Sequence, residues 1–224
     1  MEQRHFDKEL KQLKEKLLLM AGKTEALINQ AVQALKKKDA ALAESIFELD
    51  KEVDALEIEI EDEAISLIAR HQPAAGDLRF LIGVIKINND LERIGDHGEN
   101  IAQSAIFLAG QPDIKPLIDI PRLAELATGM LKDSLDGFVN NDPVKAKEIC
   151  ARDDRVDDLK DQIFRELLSF IAEKPEVTSR AMELILISRN LERVADLSTN
   201  ICEETIYISE ARVIKHHFDE GTIT

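Results

Sequence analysis

The chain has 224 residues, 44% of them hydrophobic but only 4% aromatic and none of them Trp, so any core must be built of Leu, Ile, Val and Ala, the habit of helical bundles. A formal net charge of −15 argues against nucleic-acid binding, which needs a basic face, and against direct adhesion to an anionic membrane surface. The length allows one large domain or two small ones, and no apolar run approaches the roughly 18–20 residues of a membrane-spanning helix.

A first helix is expected from about Arg4 to Lys36, because Phe6, Leu10, Leu13, Leu17, Met20, Leu27, Ala31 and Leu35 step by threes and fours with a gap at Thr24. The N-terminal stretch, with Lys8, Lys11, Lys14 and Lys16 among acids, does not read as a signal peptide. Lys36-Lys37-Lys38-Asp39 is a cationic last turn followed by an N-cap. The second helix has Ile46, Leu49, Val53, Leu56, Ile60 and Leu67 as its seam and ends near His71-Gln72-Pro73. Asp77 is expected to cap a third helix that runs to about Gly110, and Pro112, Pro116 and Pro121 mark a linker. A fourth helix covers about Pro121 to Asn140. Asn141-Asp142-Pro143 then supplies an N-cap with Pro at the first helical position, 103 positions after Lys38-Asp39-Ala40. The fifth helix runs to about Glu173, Lys174-Pro175 makes a turn, and the sixth continues to about Ile214. A polar, frayed tail from Lys215, with His216 and His217, should follow.

The chain says the same thing twice. Leu91-Glu92-Arg93-Ile94-Gly95-Asp96, running on to Asn100-Ile101, returns one hundred positions later as Leu191-Glu192-Arg193-Val194-Ala195-Asp196, running on to Asn200-Ile201. In both copies Glu, Asp and Asn stand at i, i+4 and i+8, which on a helix is one polar ridge. Val84, Ile87, Leu91, Ile94 and Ile101, and again Leu184, Ile187, Leu191, Val194 and Ile201, form an apolar stripe roughly 150° round from that ridge at about 100° per residue. The stripe should pack and the acids face out or line a groove. Asp50 and Asp54 on the second helix recur as Asp153 and Asp157 on the fifth. The fold class expected is all-α: two tandem three-helix bundles related by an internal repeat, residues 1–112 and 113–224.

Counting from the turns brings the acids to one height. Asp54 and Asp50 lie about 19 and 23 residues before the turn near residue 73, and Glu92 and Asp96 about 19 and 23 after it. At 1.5 Å rise per residue, equal counts in an antiparallel hairpin mean equal height. Asp157, Asp153, Glu192 and Asp196 repeat this about the turn at Pro175. Four carboxylates at one level repel unless some are protonated or a cation sits among them. All-oxygen ligands suit hard ions such as Mg, Mn, Ca or ferric iron, with Asn100 and Asn200 one turn further as second-tier oxygens.

The bland reading stands beside this one. With 44 acids in the chain, chance alone gives roughly eight or nine i, i+4 acidic pairs, so only the duplication and the matching heights lift these above a solvated face. Arg93 and Arg193 read as structural partners for acids at i+3 or across the hairpin. His97 reads as a surface side chain, since the second copy has Leu197 there. Gly22 and Gly95 read as points of close helix approach, and Cys150 and Cys202 as inert buried thiols of a reduced cytoplasmic protein. There is no P-loop, GxGxxG or catalytic-triad grouping, so no enzyme activity is expected.

Taken together, the duplicated LERIGDHGENI and LERVADLSTNI, the D-x-x-V-D segments before them and the Arg70–Arg79 turn resemble the PhoU family over about residues 4–214. The second copy departs from the first at Ala195, Leu197 and Ser198, and the turn before the sixth helix lacks Asp77-Leu78-Arg79. The resemblance implies six helices in two bundles. It also implies multinuclear metal clusters (iron, manganese, magnesium or zinc) at Asp50, Asp54, Glu92, Asp96, Asp153, Asp157, Glu192 and Asp196. It further implies a non-enzymatic negative regulator of the phosphate-starvation response, coupling the Pst-type ABC phosphate importer, through its ATPase subunit, to a sensor histidine kinase. Such a protein would be cytoplasmic, able to pair with a second copy of itself, and recruited to the inner membrane by protein partners. The rival classes are a carboxylate-bridged metal oxidase or metal-storage bundle, which would need E-x-x-H pairs where the chain offers only Glu2 and His5, and a plain helical scaffold.

Overall fold

A computed structural model describes residues 2–211, with side chains from His5 onward. The His216 and His217 tail and the expected end of the sixth helix lie outside the described residues. Helices α1 (Glu2–Lys37), α2 (Ala40–His71) and α3 (Ala75–Ala109) make the first half. The second half holds α4 (Asp119–Asn140), α5 (Pro143–Cys150), α6 (Asp153–Glu173) and α7 (Thr178–Glu210), with a single 3-10 turn at Pro175–Val177. No strand occurs among the described residues.

The six-helix plan is present with one departure, because the fifth expected helix is divided into α5 and α6. No Pro or Gly marks the break. At Ala151-Arg152 the backbone bonding tightens, Arg152 N–H reaching Ile149 O at 2.9 Å and Arg155 N–H reaching Arg152 O at 3.1 Å. The Arg152 guanidinium donates to Asp133 on α4 across this junction. Asp153 therefore opens α6 and does not sit mid-helix as Asp50 does in α2.

Elsewhere local chemistry sets the boundaries. Asp39 caps α2 by accepting from Leu42 N–H at 3.0 Å, and Asp142 caps α5 by accepting from Val144 and Lys145 N–H. The residues before these caps, Lys38 and Asn141, both adopt left-handed conformations with φ of 54° and 52°, so the repeat extends to the turns. Asp77 is not a cap. The α3 helix starts at Ala75, directly after Pro73-Ala74, and Asp77 lies in its first turn, where its charge meets the positive end of the helix.

The buried residues of both halves join in one continuous apolar core. The α3 and α7 stripes named from sequence are buried throughout, Val84, Ile87, Leu91, Ile94 and Ile101 having no exposure at all. In α1 the gap at Thr24 is itself buried, and its hydroxyl donates to Met20 O at 3.1 Å, so the helix loses no polar partner there. Gly98 is the tight crossing. A Cβ there would stand 2.0 Å from Leu27 Cδ2 and 2.9 Å from Ile28 Cδ1, so these side chains of α1 would have to shift. Gly22 has nothing within 4 Å of a would-be Cβ and marks no close approach.

Helix α3 runs antiparallel to α2 and to α7, and α6 antiparallel to α7. Asn88 on α3 donates to Glu57 O on α2 at 2.9 Å, while Lys86 reaches Glu204 and Ser104 reaches Glu183 on α7. Lys14 of α1 donates to Val139 O on α4 at 2.8 Å, tying the two halves together a second time.

Candidate metal centres

The buried face of α2 carries Ala43, Ile46, Val53, Ala64 and Leu67, and one acid, Asp50, which is only 6% exposed. An aspartate there is costly unless it is protonated or faces a cation. One of its oxygens, Oδ1, has no hydrogen-bond partner. Opposite it, α3 has Gly95, where an added Cβ would stand 3.0 Å from Asp50 Oδ1. The missing side chain is what lets the carboxylate lie against α3.

The first cluster is built round that acid. Oxygens of Asp50, Asp96 and Glu99 all lie within 4.8 Å of one another. Burial pushes the Asp50 carboxyl up to about 7, helped by a hydrogen bond to Glu99 and by the charges of Asp54, Glu99 and Asp96. Burial also raises Glu92, with Asp96, Glu57 and Asp54 adding their charge, and raises Asp96, with Asp54 and Glu99 adding theirs. Asp54 and Asp96 thus act on both Asp50 and Glu92, which draws the four acids into one group, as the residue counts expect.

In the second cluster Asp153 is raised to about 6 by burial, then by Asp196, Asp157 and Glu192. Glu192 is raised by burial and Asp196. Here too the four acids named from sequence gather. They are met by fixed positive charge, however. Lys160 lies 3.6 Å from Asp157, and Arg193 donates to Asp196 at 2.7 Å and lies 3.6 Å from Glu192. In the first cluster Arg93 is 3.6 Å from Asp90 and reaches Glu92 and Asp96 only through its charge, and among the described residues no Lys or Arg pairs with Asp50, Asp54, Glu92, Asp96 or Glu99.

The donor set of the first cluster fits a hard cation: carboxylate oxygens, three of them converging, one buried and without a partner. Among the described residues the second cluster brings no three ligand atoms as close. Its fit rests on the four acids alone.

Two acids were missed from sequence. Glu99 and Glu57 stand three residues after Asp96 and Asp54 and complete the first cluster. That i+3 spacing was the available signal, but acids are too common in this chain for it to discriminate. Their repeat counterparts are Thr199 and Lys160, so the two clusters differ in charge by more than the copied motif suggests. Lys160 feels Asp157, Asp161 and Glu192, which raise its pKa together with a hydrogen bond to Asp161 that contributes most.

Four sequence readings need correction. Asn200 leaves the second cluster and donates to Asp90 on α3 at 3.4 Å. Asn100 lines a different cleft, of about 570 Å³, with Arg189 and Asn190. A ridge at i, i+4, i+8 drifts round the helix, and by the third step it faces another neighbour. His97 is half-buried between α3 and α7 with Nδ1 2.9 Å from Asn190 Oδ1, and burial holds its pKa below the usual value. Arg193 pairs at i+3 as expected, whereas Arg93 pairs with the acid at i−3.

No described helix is long and apolar enough to cross a membrane. The family model described as the PhoU domain matches the chain twice, at residues 17–105 and 120–205. A protein of Aquifex aeolicus (strain VF5) named phosphate-specific transport system accessory protein PhoU homolog is 42% identical over 209 residues, covering 93% of this chain and 95% of the relative. A protein of the same name from Clostridium acetobutylicum is 38% identical over 204 residues, covering 91% and 93%. Among solved structures, PhoU from Pseudomonas aeruginosa superposes with a TM-score of 0.90 at 34% identity, covering 92% of this chain and all of that one. The phosphate transport system regulatory protein PhoU from Streptococcus pneumoniae gives 0.87 at 27% identity, covering 94% of this chain.

Proposed function

Since the chain belongs to the PhoU family, we propose that it is a metal-loaded accessory protein of a phosphate-specific transport system, acting by binding and not by turnover. Its role is to restrain the phosphate-starvation response when phosphate is plentiful. It does so by linking the ATPase subunit of a Pst-type importer to the cytoplasmic region of a sensor histidine kinase. The names of the relatives support the transport association. The metal reading rests on one observation above the rest, the buried Asp50 with an unpartnered oxygen among Asp96 and Glu99.

Asp50, Asp54, Glu57, Glu92, Asp96 and Glu99 would hold ions at the first cluster, and Asp153, Asp157, Glu192 and Asp196 at the second. A bound cation offsets repulsion between α2 and α3, and between α6 and α7, and so fixes the spacing of each hairpin. A face held in that way is a surface for protein recognition, and recruitment to the membrane then passes through partners, not through lipid. Capture assays with the importer's ATPase subunit and the kinase's cytoplasmic region test this. Metal-loaded protein should retain one or both at micromolar concentration, and failure to retain either would overturn the adaptor reading.

A further inference from the structure

Cys150 and Cys202 are far apart in the sequence and in no C-x-x-C pattern, yet the fold sets them side by side. Cys150 ends α5, and Cys202 lies on the buried face of α7. Cys150 Sγ reaches across to α7 at Thr199 O, 4.0 Å away and one turn before Cys202, and the two thiols are close enough to act on each other electrostatically. Their exposures differ. Cys202 is sealed from solvent, whereas Cys150 is half-buried and can be reached. Two inert buried thiols were expected from the sequence; Cys202 is buried, whereas Cys150 is only partly so.

We propose that Cys150 and Cys202 form a reversible intramolecular disulfide on meeting hydrogen peroxide, Cys150 attacking first and Cys202 resolving. In the first step the Cys150 thiolate attacks a peroxide oxygen and the O–O bond breaks. Cys150 becomes a sulfenic acid, and the departing hydroxide takes a proton and leaves as water. In the second step Cys202 sulfur attacks Cys150 sulfur, the S–O bond breaks and the S–S bond forms. The leaving hydroxide takes the Cys202 proton and a second water departs. The two thiols lose two electrons and the peroxide gains them.

The order of attack follows from the surroundings. Cys150 is the thiol a peroxide can reach and Cys202 is not, and the neighbouring Cys202 thiol favours the Cys150 thiolate against burial and the charges of Glu203 and Asp153. Cys150 and burial push Cys202 the other way, with Arg152 the opposing charge. Because α6 and α7 are antiparallel and joined at Lys174–Val177, the bridge would close the open end of that hairpin. It would pin the α5–α6 junction, immediately before Asp153, to α7.

The experiment uses the full-length reduced protein treated with hydrogen peroxide. Both free thiols should disappear together, the intact mass should fall by two hydrogens, and non-reducing peptide mapping should join the Cys150 and Cys202 peptides, all reversed by dithiothreitol. Cys150→Ser should leave Cys202 unreactive, and Cys202→Ser should leave Cys150 as a sulfenic acid that dimedone traps. The wild-type cross-link needs no variant to fold. Two results would overturn the proposal: wild-type protein in which Cys150 proceeds to sulfinic acid or to intermolecular dimers with no internal cross-link, or Cys150→Ser protein whose Cys202 oxidises at the wild-type rate.

Discussion

Asp50 and Gly95 meet across the α2–α3 hairpin with almost nothing to spare, since a methyl group on Gly95 would stand 3.0 Å from Asp50 Oδ1 and 3.5 Å from Val53 Cγ1. The repeat carries Ala195 at this place, and its counterpart of Asp50, Asp153, is less deeply buried. Gly95→Ala should therefore turn the Asp50 carboxylate away from Asp96 and Glu99. We expect metal affinity at the first cluster to fall on the order of tenfold, the scale for displacing a ligand's support, while the second cluster is unchanged. Competition titration against a chelating dye reads both sites, and equal affinity in variant and parent would remove Gly95 from the account.

The pH dependence of the metal-free protein follows from the same residue. Asp50 has a folded value raised to about 7 from an ordinary 3.8, so folding favours its protonated form. Its contribution to stability is whole below about pH 4 and is lost as pH rises through about 7. Asp50→Asn keeps the neutral form at every pH. Without metal, the variant should be more stable than the parent at about pH 8, on the order of 1 kcal/mol, and the difference should vanish below about pH 4. With metal, the parent should gain stability that the variant does not. Denaturant titrations with and without a chelator measure both differences.

Charge separates the two clusters. Where the first has Glu57 and Glu99, the second has Lys160 and Thr199, and Lys160 lies 3.6 Å from Asp157. Metal should therefore load the first cluster at lower concentration than the second. Lys160→Glu should tighten the second by about tenfold or more, because it exchanges a repelling charge for an attracting one in partly buried surroundings. Isothermal titration calorimetry should show two phases in the parent that draw together in the variant. A single phase in the parent, unmoved by Lys160→Glu, would show that the difference in charge has no consequence.

Much of this arrangement was legible in the sequence because it depends on local rules. The period of the Val84–Ile101 stripe, the caps at Asp39 and Asp142 and the residue counts about each turn all follow from helix geometry, and the eight acids fall where those counts place them. What the sequence did not yield depends on long-range partners. The break at Ala151-Arg152 has no Gly or Pro to announce it and coincides with a guanidinium reaching Asp133 on another helix. His97 is half-buried because α7 packs over it, and Gly98 lies under the Leu27 and Ile28 side chains of α1, which a Cβ there would displace. Glu57 and Glu99 differ from the other acids only in what faces them. Periodicity within a helix cannot tell which of its polar positions a second helix will cover.

The most direct measurement is the metal content per chain, by inductively coupled plasma mass spectrometry, of protein purified without chelators. The parent should be compared with two triple variants, Asp54→Asn/Glu92→Gln/Asp96→Asn and Asp157→Asn/Glu192→Gln/Asp196→Asn. Each triple variant should lose the metal of its own cluster and keep that of the other. A parent free of metal, or two variants holding as much metal as the parent, would contradict the claim that these carboxylates are gathered to hold cations.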